Sequence, residues 1–524
     1  VSGHTAELIA GTIADHKVAV LSGRVHYYEQ GNAAAMRGPL EALKGVGVNR
    51  LILTNSAGSL DEEAGPGSIM QIEDHINFSG TNPLIGEPTD DRFVGLTTAY
   101  DEGLRKRFAD AAARLDAEGV LSLDSTLADH WPDVRFPDGI DPAAWTLRDL
   151  LSHQVPVEAD LITMLEAYVT RVDPADYPML IEAVMTARKP GFDYSNLGYN
   201  LYGAILETVT GRTWQDWLDE DVFTPLGLAH TSARTSDFSL DEQSWNHIWT
   251  GPEDGWFEVR PKTDGQMQSA GGITTSPNDM ITWLQMNLRG VGPAGSGLTA
   301  AVLNEAHAIA AEVSRDARNA YELPCYGYAL GWNVCDFEGH TLYAHGGGYT
   351  GARTMMAFSP DLGVGIGVFS NSDNMTGWLT SRTMIQFLQF VIDHEDADMW
   401  MAERQRQYPE RVARLLEARL ESVAAHRANA AFGDWSWAPD DAALSEYAGV
   451  YENPVMYAPV TVRIMEGRLH AAWGDYAFTG APAREDVFGL QQHPLDDLLP
   501  LEFERNGAGE IIALTYEETR FERR

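Results

Sequence analysis

The spacing of apolar residues changes several times along the chain, and each change predicts a different kind of element. Residues 16–28 and 50–54 are leucine- and valine-rich runs bounded by glycine or asparagine, which predicts strands. Residues 39–43 between them fit a short helix that is closed by glycine. Residues 98–118 have the 3.6-residue periodicity of an amphipathic helix. The first part of the chain therefore reads as alternating α/β structure.

From residue 121 onward, longer helical periods are separated by Pro/Gly turns, and glycine-punctuated strands follow them. The predicted helices are 200–210 and 279–288, and the predicted strands are 342–344, 353–358 and 364–369. Residues 399–427 alternate glutamate and arginine, as a connecting helix does, and short strands fill residues 447–524. The fold class predicted is α/β + α+β multidomain. An antiparallel sheet flanked by helices is completed by an α/β fragment and followed by a small C-terminal β domain.

At 524 residues the chain is too long for a single core, since a domain takes roughly 150 residues. The changes in the spacing of apolar residues along the chain indicate the domain boundaries. We expect domains at 1–118, 119–398 and 432–524, with a helical connector at 399–431.

The charge balance excludes several classes of partner. With 37 basic and 76 acidic residues the net charge is −39, which repels nucleic acid and anionic membrane surfaces. No apolar run reaches the roughly 18 residues that span a bilayer, and the start Val1-Ser2-Gly3-His4 lacks a signal-peptide pattern. A cytoplasmic protein is expected. Two cysteines are too few for a disulfide framework or a cysteine-rich metal site, so neither metal nor cofactor is expected.

Four motifs near the start of the chain have the order and spacing of one known family. They are Ser22-Gly23-Arg24-Val25-His26-Tyr27-Tyr28-Glu29, Thr54-Asn55-Ser56-Ala57-Gly58-Ser59, Asp74-His75-Ile76-Asn77 and Gly80-Thr81-Asn82-Pro83-Leu84. This segment resembles the middle of a trimeric-type purine nucleoside phosphorylase. By that resemblance His4, Arg24 and His26 would face phosphate and Ser56 would offer its backbone N–H, which suits an oxyanion. The purine-binding half of that family is missing, so any phosphate site would be vestigial and phosphorolysis is not expected.

A second series of blocks runs from residue 121 to about 393. They are Leu121-Ser122-Leu123-Asp124, Leu147-Arg148-Asp149-Leu150-Leu151-Ser152-His153, Pro190-Gly191-Phe192-Asp193-Tyr194-Ser195-Asn196, Ala270-Gly271-Gly272-Ile273, Tyr326-Gly327-Tyr328 and His345-Gly346-Gly347-Gly348. This part resembles the beta-lactamase-related hydrolases, which include class C beta-lactamases, D-aminopeptidases and family VIII esterases. The chain is thus interpreted as a natural fusion of two families.

The resemblance implies roles for four residues. Tyr194 would exchange a proton with the nucleophile, and Asn196 would orient the groups that flank the substrate carbonyl. His345 would contribute hydrogen bonds, and the backbone at Gly347 would line an oxyanion hole, because a glycine run lets substrate approach the main chain closely.

The nucleophile motif of that family, Ser-x-x-Lys, is absent. None of the five lysines has a serine three residues before it. The family's spacing puts Glu102 and Arg105 at the serine and lysine positions, and neither can do that work. Other hydroxyls remain open as nucleophiles: Thr97, Thr98, Ser56, Ser59 and Tyr194 itself. Thr186 precedes Lys189 by three residues, which we interpret as coincidence.

Three functional hypotheses follow. The first is a hydrolase of small acyl esters, or weakly of beta-lactams, with a non-standard nucleophile. The second is a pseudoenzyme whose cleft binds peptide or acyl ligands. The third is an oligomeric scaffold built on the phosphorylase-like segment. A small-molecule ester or beta-lactam-like substrate is expected for the first, and a homo-oligomer is compatible with all three.

Overall fold

The structure is a computed structural model that describes residues 8–13, 16–21, 32–54, 72, 82–84, 89, 121–293, 296–313, 323–372, 374–375 and 377–524. Packing divides the chain into two compact units, Val1–Gly119 and Val120–Arg524.

The described part of the first unit holds two strands and a helix. Strand β1, Leu8–Ile13, pairs antiparallel with β2, His16–Leu21, and helix α1 covers Arg37–Gly45. The predicted strand at 50–54 is wrong, since these residues carry no regular structure and Ile52 is 76% exposed. An apolar run needs a paired neighbour and a buried face to become a strand, and no described residue pairs with this one. The predicted helix at 98–118 lies outside the described residues.

A six-stranded antiparallel sheet is the centre of the second unit, with strand order β14-β13-β12-β11-β10-β9. Its strands are β9 Ala311–Glu312, β10 Cys325–Tyr328, β11 Asn333–Phe337, β12 His340–Tyr349, β13 Ala352–Ser359 and β14 Val364–Ser370. The last three contain the strands predicted from the sequence. Cys325 and Cys335, which face each other across β10 and β11, form a disulfide that the cysteine count did not predict.

Helices cover both faces of this sheet. Helix α10, Pro277–Arg289, packs through Leu284 against Phe358 and Trp332 on one face. Helix α12, Gly377–Val391, packs through Met384 against the opposite face. Successive strand residues point to opposite faces, which is why both faces of the sheet bury apolar side chains.

The remaining helices build a lobe ahead of the sheet. They are α2 Leu127–His130, α3 Leu147–Leu151, α4 Asp160–Met164, α5 Tyr177–Val184, α6 Leu197–Thr210, α7 Trp214–Leu218, α8 Thr224–Leu226, α9 Gln268–Gly271 and α11 Ala300–His307. A π-helical turn, Leu165–Val169, continues α4. Helix α6 contains the predicted helix 200–210 and ends at Gly211 with φ +67°, a left-handed cap that favours glycine.

Short strand pairs accompany this lobe. They are β3 Val157–Glu158 with β4 Thr186–Ala187, β5 Thr231–Ser232 with β8 Thr274–Thr275, and β6 Asn246–Gly251 with β7 Gly255–Val259.

The predicted connecting helix is α13, Ala397–Arg427, and α14, Asp441–Ser445, precedes a closed eight-stranded antiparallel barrel. Its strands are β15 Gly449–Glu452, β16 Val460–Met465, β17 Arg468–Trp473, β18 Tyr476–Arg484, β19 Val487–Gln491, β20 Leu499–Arg505, β21 Ile511–Tyr516 and β22 Thr519–Arg523. Side chains fill the barrel, among them the fully buried Phe488 and Phe521. Barrel residues and the helical lobe share one apolar cluster, so lobe and barrel are a single core.

No helix in the described ranges has both the length and the apolar character needed to cross a membrane.

Candidate active site

Tyr194 lies in the loop that leads into helix α6, and Arg188 fixes the shape of this loop. The Arg188 guanidinium donates to the carbonyl oxygens of Lys189 and Gly191, and also to those of His153 and Val155, at 3.0–3.1 Å. One side chain therefore ties the Tyr194 loop to the turn that follows helix α3. Gly191 has φ +127°, a conformation that favours glycine.

The Tyr194 ring is 39% exposed and lies between two histidines. Its centroid is 4.5 Å from the ring of His153 and 5.9 Å from the ring of His345. Tyr328 lies at 6.3 Å. The structure thus brings two of the sequence-predicted residues, Tyr194 and His345, together with His153 in one cluster of rings, and we call the region around this cluster the Tyr194 cleft.

His153 was quoted within a motif but was not predicted as a site residue. It is 4% exposed, has φ +60°, and lies among the rings of Phe192, Tyr199 and Tyr328 as well as Tyr194. Its Nδ1 accepts the backbone N–H of Ser195 at 3.3 Å, which places the proton of a neutral ring on Nε2. The signal that could have found it is its position at the end of the Leu150-Leu151-Ser152-His153 block.

Asn196 is the residue before the first turn of helix α6 and is half-buried. Its own side chain does not cap the helix, because the Ser195 hydroxyl accepts the N–H of Leu197 at 3.2 Å instead. The Asn196 side chain, two residues after Tyr194, therefore does not cap the start of the helix.

Strand β12 carries His345 and Gly347 along the cleft. β11 pairs with β12 only as far as Ala344, so from His345 onward β13 alone borders the strand in the sheet. A Cβ at Gly347 would lie 2.5 Å from the Thr354 hydroxyl, and one at Gly348 would collide with the Arg353 guanidinium. An added Cβ at Gly347 would thus meet the side chain of the neighbouring strand, whereas the flexible Arg353 side chain could move away from one at Gly348; as glycines, both leave the backbone open to close approach.

The barrel reaches the far end of the same strand. The Tyr349 hydroxyl donates to Gln266 at 2.9 Å, and its ring stacks on Tyr168 at 6.1 Å. Tyr168 in turn lies 5.4 Å from Tyr476 of the β17–β18 hairpin. The neighbouring Asp475 accepts from Thr263 at 2.5 Å. This hairpin of the barrel therefore contacts the lobe close to the end of strand β12.

Burial raises the pKa of two tyrosines around the site. It raises the pKa of Tyr199 to about 12 and that of Tyr349 further still, so both hydroxyls stay protonated at neutral pH. Tyr194, by contrast, is exposed to solvent.

Neither Lys262 nor Lys189 lies one helical turn after a hydroxyl, as the lysine of the nucleophile motif does. Burial lowers the pKa of Lys262 to about 8, and its Nζ donates to Thr235 at 2.9 Å. Thr186 lies in strand β4 and donates to Glu158, so its three-residue spacing from the exposed Lys189 does not follow a helical turn.

A hydroxyl–imidazole pair that the sequence did not single out lies elsewhere. The Ser125 Oγ is 2.8 Å from His130 Nε2, and burial lowers the pKa of His130. Ser125 also bonds the Ser122 carbonyl at 2.7 Å, and its own carbonyl accepts from Leu147 at the start of α3. The pair therefore lies at the opposite end of helix α3 from His153, and its hydrogen bonds stabilise a turn.

The phosphate residues predicted in the first unit, His4, Arg24, His26 and Ser56, lie outside the described residues. So do three of the hydroxyls considered as nucleophiles, Thr97, Thr98 and Ser59.

The model of the family described as Beta-lactamase matches residues 108–386, which is more than half of the chain. This chain belongs to the beta-lactamase family. The predicted fold class is thereby confirmed, and the fold is that of a beta-lactamase or penicillin-binding-protein hydrolase. The Phosphorylase superfamily model matches residues 1–125, so the chain is a fusion of the two families as predicted.

Relatives of both parts are found among curated proteins. Purine nucleoside phosphorylase 1 of Bacillus subtilis is 42% identical over 107 residues, which are 20% of this chain and 40% of that protein. The corresponding enzyme of Geobacillus stearothermophilus is 41% identical over 116 residues and is covered to 42%. The chain therefore spans well under half of these phosphorylases. Penicillin-binding protein 4 of Amycolatopsis lactamdurans is 24% identical over 326 residues, or 60% of this chain and 80% of that protein.

Solved structures similar to the chain include two hydrolase-fold proteins. The octameric penicillin-binding protein homologue from Pyrococcus abyssi has a TM-score of 0.43 and 18% identity, covering 78% of this chain and 84% of that one. The D-amino acid amidase from Ochrobactrum anthropi has a TM-score of 0.44 and 20% identity, covering 54% and 79%.

Proposed function

We propose that the chain hydrolyses small acyl esters at the Tyr194 cleft and acts weakly on beta-lactams. The observation that carries the proposal is the partly exposed phenol of Tyr194, set between the imidazoles of His153 and His345 beside a glycine strand. The His-Gly-Gly form of the third motif favours esters. The name of the relative penicillin-binding protein 4 supports including a beta-lactam among the compounds tested.

In the proposed reaction Tyr194 acts as the base for water. The phenolate oxygen takes a proton from a water molecule whose oxygen attacks the ester carbonyl carbon. The carbonyl electron pair moves to its oxygen, which the backbone at Gly347 stabilises, and Asn196 orients the acyl group. The tetrahedral species then expels the alcohol, which takes the proton back from Tyr194. The nearby imidazole of His345 stabilises the phenolate by hydrogen bonding or as a cation.

Two other sources of the nucleophile are consistent with the fusion. Tyr194 could attack the carbonyl directly, which suits aryl esters because a phenol is a poorer leaving group than nitrophenol. The hydroxyls of the first unit, Ser56, Ser59, Thr97 and Thr98, are the other candidates, which the sequence leaves open. Each source leaves a different covalent product, so an experiment separates them.

The alternative is a pseudoenzyme that binds peptide or acyl ligands. The observation in its favour is the absence of Ser-x-x-Lys from the whole sequence. Phosphorolysis is not proposed, since the chain spans about 40% of the phosphorylases that it matches.

The test is treatment of the full chain with a fluorophosphonate probe and with p-nitrophenyl acetate, followed by peptide mass mapping. Turnover without an adduct supports water activated at Tyr194, while an adduct names a nucleophile. Tyr194→Phe should reduce turnover at least 100-fold, in line with the roughly 10²–10⁴-fold contribution of a general base. Tyr202→Phe, which removes a hydroxyl from the following helix α6 instead, is the matched control and should keep full activity. If the wild type binds ester analogues but shows no turnover, the result supports the pseudoenzyme hypothesis instead.

A further inference from the structure

A small polar cavity lies behind helix α6, away from the Tyr194 cleft. Its volume is about 20 Å³, enough for one occupant the size of a water molecule. Glu166 of the π-helical turn, Asn200 of α6 and Gln268 of α9 line it, and each of the three is at most 3% exposed. Helices α6 and α9 can approach this closely because position 203 is glycine, where a Cβ would collide with Ser269.

Two oxygen atoms at this cavity lack a partner. Asn200 Oδ1 and Gln268 Oε1 are buried and accept no hydrogen bond from any residue that the structure describes. The orientation of Gln268 is fixed, since its Nε2 donates to the Asp264 carbonyl at 2.6 Å. A buried acceptor without a donor costs roughly 1–3 kcal/mol, so two of them at one cavity point to an occupant that satisfies both.

The charges around the cavity do not balance. The Glu166 carboxylate accepts the N–H of Val172 at 2.8 Å and lies beside the Tyr177 hydroxyl, but it has no ion-pair partner among the described residues. The nearby Arg171 guanidinium pairs with Glu207 at 2.5 Å. With Glu166 ionised, one positive and two negative groups leave a single negative charge. A water molecule satisfies the two acceptors but not this charge.

We propose that the cavity binds one dehydrated monovalent alkali cation. Its ligands are the Glu166 carboxylate and the side-chain carbonyl oxygens of Asn200 and Gln268, since hard cations take oxygen ligands. A divalent ion does not fit, because one uncompensated carboxylate neutralises only one charge. No group of three or more His, Cys, Asp or Glu side chains in the described part of the chain is suited to a metal ion. The partly exposed Arg171–Glu207 pair also lines the cavity.

The test measures the unfolding temperature of the full chain in choline chloride, with NaCl, KCl or RbCl replacing it at constant ionic strength. An alkali cation should raise Tm in a saturable way, by roughly 3 °C at a concentration 100 times its dissociation constant. Glu166→Gln should abolish the dependence, while Glu253→Gln, which removes an exposed carboxylate, should keep it.

A second measurement covers the case in which Glu166→Gln fails to fold. Crystals grown in RbCl should show an anomalous peak in the cavity, and Asn200→Asp, which adds a carboxylate, should lower the cation concentration needed for half-saturation. Equal Tm in choline and in all alkali chlorides, or a cavity that holds water without an anomalous signal, would overturn the proposal.

Discussion

Gly198→Ala tests the packing that positions the candidate site. Gly198 is the second residue of helix α6, and a Cβ there would collide with the Leu150 carbonyl oxygen of helix α3 and lie 3.2 Å from its carbon. Backbone atoms cannot rotate away. The helices would have to separate by roughly 1 Å to restore an ordinary contact.

The cost follows from two opposing effects. Overpacking a well-packed contact costs typically about 1–3 kcal/mol, and alanine regains up to about 1 kcal/mol over glycine through its helix propensity. A net loss of roughly 1–2 kcal/mol is expected. Because His153 follows α3 and Tyr194 precedes α6, the same separation pulls the two rings apart, and a displacement of about 1 Å can cost 10²-fold in rate.

The assay is urea unfolding followed by tryptophan fluorescence, together with turnover of p-nitrophenyl acetate. The matched control is Gly38→Ala, since Gly38 is also the second residue of a helix but has nothing within 4 Å of an added Cβ. That control should be neutral or stabilising. A Gly198→Ala variant that unfolds at the wild-type urea concentration or above would refute the packing argument.

The remaining predictions concern Arg188, the buried carboxylate of Glu166 and the barrel residue Phe488. Arg188→Ala removes four hydrogen bonds to carbonyl oxygens, although those of His153 and Val155 keep the backbone donors of Asp193 and Val157, and it should destabilise the chain by about 2–3 kcal/mol in urea unfolding; the exposed Lys189→Ala should change stability by less than about 0.5 kcal/mol. In choline chloride the wild type should lose about 3 kcal/mol relative to Glu166→Gln as the pH rises from about 4.5 to 7, because the folded pKa is raised and the ionised carboxylate is disfavoured in the fold; parallel stability curves would contradict this. Phe488→Ala should cost roughly 3–5 kcal/mol, and lobe and barrel should still unfold in a single calorimetric transition because they share one core; two separate transitions would contradict this.

Part of this architecture followed directly from sequence pattern. Helices 200–210 and 279–288 were predictable because periodic apolar residues coincide with capping residues, as at Gly211 and Gly290. The strands from 342 onward were predictable because glycine interrupts β-rich runs there. The run at 50–54 has the same local composition but no strand partner, and local composition carries no information about a partner.

The candidate site was predictable only in its motif residues. Tyr194 and His345 are 151 positions apart, and the resemblance alone placed them together. His153 was missed because its role rests on a left-handed backbone conformation and on four surrounding rings, none of which a linear pattern shows. The Glu166 cavity could not be predicted either, since it depends on two helices meeting at Gly203.

The closed barrel has a consequence for the order in which the chain folds. Its seam joins Tyr451 to Arg523, so the pairing that removes the last strand edge links residues far apart in sequence. Such a contact forms late in folding, because closing the long loop costs conformational entropy before any favourable contact is made. Tyr451 and Phe521 belong to the same apolar cluster as Leu150 and Leu197, which flank the cleft. The cleft therefore reaches its final geometry only after the seam has closed, and catalytic competence is expected to appear at the slowest rate in refolding.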